Sequence, residues 1–222
     1  MISNKIKGVI FDLDGTLLDS MFIWEDVDRR FLCQHGYKAT EEISRALFTL
    51  NLEEGILYMK EVFHIEDTPA KMMHDLLKMV EDFYTSEVHL KPYAKEFLED
   101  LKARHIPMCI ATSNQKGLVL RALEYLGIED DFVTVLTCDE AGANKDKPDI
   151  YDQCCRYMNT KREETYVFED ALHAIETVSS FGFPCVAIYD EYSKKDKDKI
   201  KTYTNLYFKD FQEVRNYFKV HI

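Results

Sequence analysis

One short apolar run, Val9-Ile10-Phe11, stands apart from the other strand-like segments of this chain. From about residue 20 to residue 87 the pattern that follows it is helical only. The run is β-branched and aromatic with no polar alternation, as in a strand buried on both faces of a parallel sheet. Apolar residues then recur at helical spacing: Trp24, Val27, Phe31 and Leu32; Ile43, Ala46, Leu47 and Leu50; Ile56, Met59, Val62 and Phe63. Thr68-Pro69 reads as an N-cap with proline in the first turn, opening a helix that carries Met72, Leu76, Val80 and Phe83. Beyond residue 88 strands and helices alternate. Strand candidates are Met108 to Ala111, Phe132 to Leu136, Tyr166 to Phe168, Cys185 to Ile188 and Leu206 to Phe208. A helix spans Asp149 to Met158, and another stops at Gly127. This rhythm predicts an α/β fold: a doubly wound, Rossmann-like parallel-sheet core of residues 1–17 and 89–222, with an inserted all-helical domain of residues 18–88.

The strand Val9 to Phe11 ends in Asp12-Leu13-Asp14-Gly15-Thr16. Two acids one residue apart on a strand point to opposite faces. They converge only if the chain turns, and Gly15 permits the turn. Two carboxylates near one point repel each other and attract a hard cation. In parallel sheets, sites lie beyond the carboxyl ends of the strands. The polar residues there are Asp12 and Asp14, then Thr112, Ser113 and Asn114, then Lys145, then Glu169 and Asp170. Carboxylates, a hydroxyl cluster and a lysine suit phosphoryl transfer. Magnesium takes oxygen ligands and keeps several waters, so few carboxylates suffice. Lys145 supplies further positive charge, Thr112 and backbone amides supply donors, and an aspartate can attack phosphorus.

Composition narrows the partners. The chain has 222 residues, enough for one core and an insertion, and a net charge of −12. That charge disfavours nucleic acid and anionic membrane. None of the six cysteines falls in a metal-ligand pattern. With free thiols, no signal-peptide core and no apolar run long enough to span a membrane, a cytoplasmic protein is expected. The lysine-rich stretch from Ser193 to Lys201 reads as a solvated face.

The residues also resemble a known family, the haloacid dehalogenase-like hydrolases, in the phosphatase and β-phosphoglucomutase-like branch that carries a helical cap. Asp12-Leu13-Asp14-Gly15-Thr16 matches the family's DxDGT. Thr112 follows an apolar strand. Lys145 opens a segment similar to KPxPD, with Asp146 where proline is usual. Phe168-Glu169-Asp170 is the fourth motif. Each motif is weak alone; four in order, each after a strand, are specific. The fourth continues as Ala171-Leu172-His173-Ala174, lacking the serine and glycine frequent in the family. The resemblance implies that Asp12 is the nucleophile and Asp14 the general acid/base. It implies magnesium as cofactor, held by the Asp12 side chain, the Asp14 backbone carbonyl and Asp170, with Glu169 a ligand or a neighbour of one. Thr112 and Lys145 would bind the transferring phosphoryl group with help from Ser113 and Asn114. Asp19 and Trp24 are candidate substrate contacts of the cap, and Phe48 and Tyr58 are aromatic residues that suit a sugar or nucleoside face or ordinary core.

Four activities compete. Dehalogenation needs no acid for a halide leaving group, so Asp14 points to an alkoxide instead. A binding protein without activity should have lost a catalytic residue, and none is lost. The β-phosphoglucomutase pattern places a histidine near Trp24 and an arginine near Leu52, which this chain lacks. The expected function is therefore a magnesium-dependent phosphatase acting on a small phosphomonoester (a sugar, polyol or nucleoside phosphate) through an aspartyl phosphate. A sugar phosphomutase is the alternative. A monomer is expected, because cap motion needs free space.

Overall fold

The computed structural model describes residues 6–48 and 50–221, and the side chain of Phe48 lies outside the described residues. The chain divides into two compact units, residues 1–20 with 89–222 and residues 21–88. β1 (Gly8–Phe11) and the two-residue β2 (Leu18–Asp19) precede four helices: α1 (Ile23–Gln34), α2 (Glu41–Phe48), α3 (Leu52–Phe63) and α4 (Pro69–Ser86). The chain returns through β3 (His89–Leu90) to α5 (Ala94–Ala103), β4 (Met108–Thr112), α6 (Lys116–Leu126), β5 (Thr134–Thr137), α7 (Cys138–Ala141) and α8 (Asp149–Met158). It ends with β6 (Thr165–Glu169), α9 (Leu172–Ser180), β7 (Cys185–Ile188), α10 (Lys197–Tyr203), β8 (Tyr207–Phe208) and α11 (Phe211–His221). Among the described residues, no helix is long and apolar enough to cross a membrane.

The main sheet runs β5-β4-β1-β6-β7-β8, and every neighbouring pair is parallel. β1 is central, as its unbroken apolar pattern requires, and all four of its residues are buried. Strand order reverses at β1, with β4 and β5 to one side and β6, β7 and β8 to the other, and in such sheets ligand sites lie beyond the carboxyl ends of the strands at that switch point. Alternation sorts the two faces. Phe11 meets Phe168 at 4.9 Å and Phe97 at 6.2 Å between ring centroids, and Phe168 stacks on Phe211 at 6.1 Å. Ile10 and Val167 pack on the other face with Tyr151 and Cys154 of α8 and Ile175 of α9. Truncating one such buried phenylalanine to alanine costs about 3–5 kcal/mol. The fifth strand starts at Thr134 rather than Phe132, because Phe132 caps the short 3₁₀ turn Glu129–Asp131; its ring lies 6.4 Å from that of Phe11. The lysine-rich stretch includes α10, whose Lys197 and Lys201 lie 5.6 and 5.5 Å from the centre of the Tyr207 ring. All six cysteines are free, and Cys154 and Cys155 are both buried.

β2 and β3 form a separate antiparallel ribbon, Leu18 opposite Leu90 and Asp19 opposite His89. Lys91 N extends it by donating to Leu17 O at 2.9 Å. The ribbon holds the outgoing and returning chain together, so the division between units falls after Ser20. In the helical unit, the Thr68 side chain accepts from Lys71 N at 3.2 Å with Pro69 next, and Asn51 forms a capping box with Glu54. Met72, Leu76, Val80 and Phe83 of α4 are buried, and Phe22 meets Phe83 edge to face at 5.2 Å.

Candidate active site

Asp12 is the first residue beyond β1. Its N–H still donates to Phe168 O at 2.9 Å, so the strand ladder fixes its backbone. The chain then turns sharply: Leu17 N and Leu18 N both donate to Leu13 O, and Gly15 adopts φ +84°. A Cβ on Gly15 would stand 2.9 Å from Asp170 Oδ2, so glycine is required for close approach as well as for the turn. Thr16 Oγ1 donates to Asp170 Oδ1 at 3.1 Å.

The turn separates the two aspartates. Asp12 is buried, and its Oδ1 accepts from Lys145 Nζ. Asp14 is only half buried, and its carboxylate accepts from Ser20 Oγ at 2.6 Å and Asn114 Nδ2 at 2.9 Å. Lys145 Nζ also donates to Glu169 Oε1 at 2.7 Å, and Tyr151 OH reaches the same oxygen at 3.2 Å. Lys147, its neighbour in sequence, is exposed. Glu169 Oε2 is buried without a hydrogen-bond partner among the described residues. Burial alone would push the Lys145 ammonium down, but the Asp12 and Glu169 carboxylates outweigh it and hold it above its ordinary range. Burial, with repulsion from Asp12, pushes Glu169 up to about 7. Burial raises Asp170 well above the usual carboxylate range, and the charges of Asp12, Glu169 and Asp190 add to it.

This donor set fits a hard dication. Asp12, Glu169 and Asp170 each offer an oxygen within 4.8 Å of the others, and the orphaned Glu169 Oε2 is a buried acceptor that lacks a positive partner. The Asp14 carboxylate is not in that cluster. Thr112 is buried at the end of β4, with its hydroxyl accepting from Asn114 N at 3.0 Å. Ser113 is exposed and lies 3.4 Å from Cys138 Sγ, so its side chain turns toward α7 while Asn114 turns toward Asp14. Asp19 on β2 is exposed, Trp24 on α1 is 43% exposed, and His173 is exposed at the start of α9.

Four residues to which the sequence assigned no role belong to this region. Thr16 and Tyr151 each bond an acid of the cluster. Lys91 Nζ donates to Asp190 Oδ2 at 2.5 Å and to Tyr189 O at 3.1 Å. Asp190 stands two residues beyond β7, where the strand-end rule would have found it had it been applied to that strand. Among the described residues only six charged side chains are buried: Asp12, Lys91, Lys145, Glu169, Asp170 and Asp190. All belong to the sheet unit.

The family profile described as haloacid dehalogenase-like hydrolase matches residues 9–188. A phosphorylated carbohydrates phosphatase of Thermotoga maritima is 28% identical over 180 residues, which cover 80% of this chain and 82% of that protein. The fructose-1-phosphate phosphatase of Escherichia coli is 23% identical over 191 residues, covering 83% and 97%. The solved structure of a Thermotoga maritima protein provisionally described as a β-phosphoglucomutase superposes with a TM-score of 0.81 at 25% identity, covering 98% of this chain and all of the other.

Proposed function

Because this chain belongs to the haloacid dehalogenase-like hydrolase family, we propose that it hydrolyses a small phosphomonoester, with Asp12 as nucleophile and Asp14 as general acid/base. The observation that carries this reading is the unequal setting of the two aspartates. Asp12 is buried against Lys145 inside the acid cluster, whereas Asp14 is held outside it by Ser20 and Asn114. One carboxylate is aimed for attack and the other is placed to exchange protons.

Asp12, Glu169 and Asp170 would hold magnesium, with the Asp14 backbone carbonyl, and the ion would offset the charge of the phosphoryl oxygens. In the first step an Asp12 oxygen bonds to phosphorus while the bond from phosphorus to the ester oxygen breaks. Asp14 gives its proton to the departing alkoxide. In the second step water attacks phosphorus, Asp14 takes the water's proton, and the bond from Asp12 to phosphorus breaks to release phosphate. The Lys145 ammonium and the Thr112 hydroxyl bind phosphoryl oxygens. Lys145 holds Asp12 and Glu169 in place before substrate arrives. Two of its relatives are named as phosphatases of phosphorylated carbohydrates and of fructose 1-phosphate, which makes sugar phosphates the first substrates to try.

The test is release of inorganic phosphate from an aryl phosphate and from a panel of sugar, polyol and nucleoside monophosphates. Turnover should require magnesium and stop with a chelator. Undiminished turnover by Asp12→Asn would overturn the mechanism. The likeness to the Thermotoga maritima protein provisionally described as a mutase keeps a second reading in the same assay. A mutase would be stimulated by a hexose bisphosphate and would yield an isomerised sugar phosphate without free phosphate.

A further inference from the structure

The six buried charges do not cancel. Four are carboxylates and two are ammonium groups, which leaves two negative charges when all are ionised. Lys145 is already assigned, because it bonds the proposed nucleophile. The pair Lys91 and Asp190 has no place in the mechanism, although it is buried as deeply as the cluster itself.

Its geometry is fully engaged. Asp190 Oδ2 accepts from Lys91 Nζ at 2.5 Å, and Oδ1 accepts from Tyr192 N at 2.9 Å. The Lys91 ammonium takes Tyr189 O as a second acceptor at 3.1 Å. Both oxygens of Asp190 are thus occupied, and Asp190 is not among the three acids whose oxygens converge. It stands at the carboxyl end of β7, beside the end of β6 that carries Glu169 and Asp170. A buried ion pair is weak support for stability, since an apolar pair of similar volume serves as well or better. A pair kept there calls for another use.

We propose that Lys91 is a positioning residue, which keeps Asp190 out of the metal's ligand set and, together with Asp190, sets the buried charge at the value that one dication neutralises. The inference rests on the metal site of the proposed function. With Lys91 neutral, three negative charges would face the ion; with Asp190 neutral, one would. The two single substitutions therefore act in opposite directions on dication affinity. A pair that served only as a staple would act in the same direction in both, by loosening the ends of the strands.

Calorimetric titration of the whole protein with magnesium, and manganese binding followed by electron paramagnetic resonance, test this without reference to activity. Lys91→Met should tighten the dissociation constant about tenfold and Asp190→Asn should weaken it about tenfold, as expected for one unit charge acting on a dication through partly screened surroundings. The double variant Lys91→Met/Asp190→Asn should return to within about threefold of the parent. Shifts of the same sign in both single variants, or shifts under about twofold in both, overturn the proposal. If Lys91→Met does not fold, weakening by Asp190→Asn and its reversal in the double variant decide the matter. Failure of the parent protein to bind either ion would overturn the proposed metal site, and this inference with it. Opposite shifts without phosphate release would overturn the phosphatase reading alone.

Discussion

Buried charge distinguishes the two units of this chain. The sheet unit buries six charged side chains at or near the carboxyl ends of β1, β6 and β7. The helical unit buries none among its described residues. Its ion pairs lie on helix surfaces, as with Lys71 between Asp67 and Asp75, Arg30 with Asp26 and Glu87, and Lys78 with Asp82. Exposed pairs of this kind contribute about 0–1 kcal/mol each. Burying a carboxylate costs several kcal/mol unless it is paired. The sheet unit thus tolerates charge in its interior at the one edge where chemistry is proposed, and the helical unit keeps its interior apolar. The contrast separates a part that buries the proposed reacting groups from a part whose described interior holds no charge.

The largest effect should come from the buried acid proposed as nucleophile. Asp12→Asn removes the proposed nucleophile while keeping its size, and phosphate release should fall at least about 10⁴-fold. One repelling carboxylate also leaves the cluster, so the variant should stay folded, as circular dichroism and thermal unfolding would show. Loss of activity together with loss of the fold would break the contrast, since Asp12 would then be a structural residue.

Much of this unit could be read from local patterns. Val9 to Phe11 has no polar alternation and is buried throughout, and Asp149 to Met158 form a helix with the expected bounds. Gly127 ends its helix in the left-handed conformation. The ribbon of β2 and β3 was hidden because two residues per strand leave no periodicity to detect. Lys91 was hidden with it: beside Pro92 it reads as the start of a helix, and its partner Asp190 lies 99 residues away. Tyr151 falls on the apolar stripe of α8, where an aromatic residue reads as core, and only the structure shows its hydroxyl at Glu169. Ser113 was grouped with Thr112 and Asn114 because all three follow a strand. Neighbouring residues there diverge, and its side chain goes to Cys138.

In the helical unit the comparable loss should be one of stability. Leu76 is fully buried on α4, and Leu76→Ala deletes methyl groups from a core with no charge to relieve. The cost should be about 3 kcal/mol, read as a lower midpoint in urea, with kcat per folded molecule preserved. A fall in kcat at temperatures where the variant is fully folded would show that the helical interior tunes the chemistry directly.

The sharpest test of the contrast is its smallest effect. Asp28, on α1, is the helical unit's half-buried acid whose carboxyl is raised above the ordinary range, and the cause is burial alone. In the folded state it therefore holds its proton to higher pH than in the unfolded chain. Its stabilising contribution is complete below the unfolded value of 3.8 and is lost as pH rises through the folded value. At neutral pH the ionised group weakens the fold, so Asp28→Asn should stabilise the protein by less than about 1 kcal/mol. The gain should disappear in acid, where the parent residue is protonated as well. Thermal unfolding at pH 7 and pH 3.5 reads the difference. If the helical unit is built only for shape, KM should be unchanged. A rise in KM with stability improved would mark Asp28 as an acid kept at a cost for substrate, and would place one working charge in the unit that otherwise keeps its interior free of them.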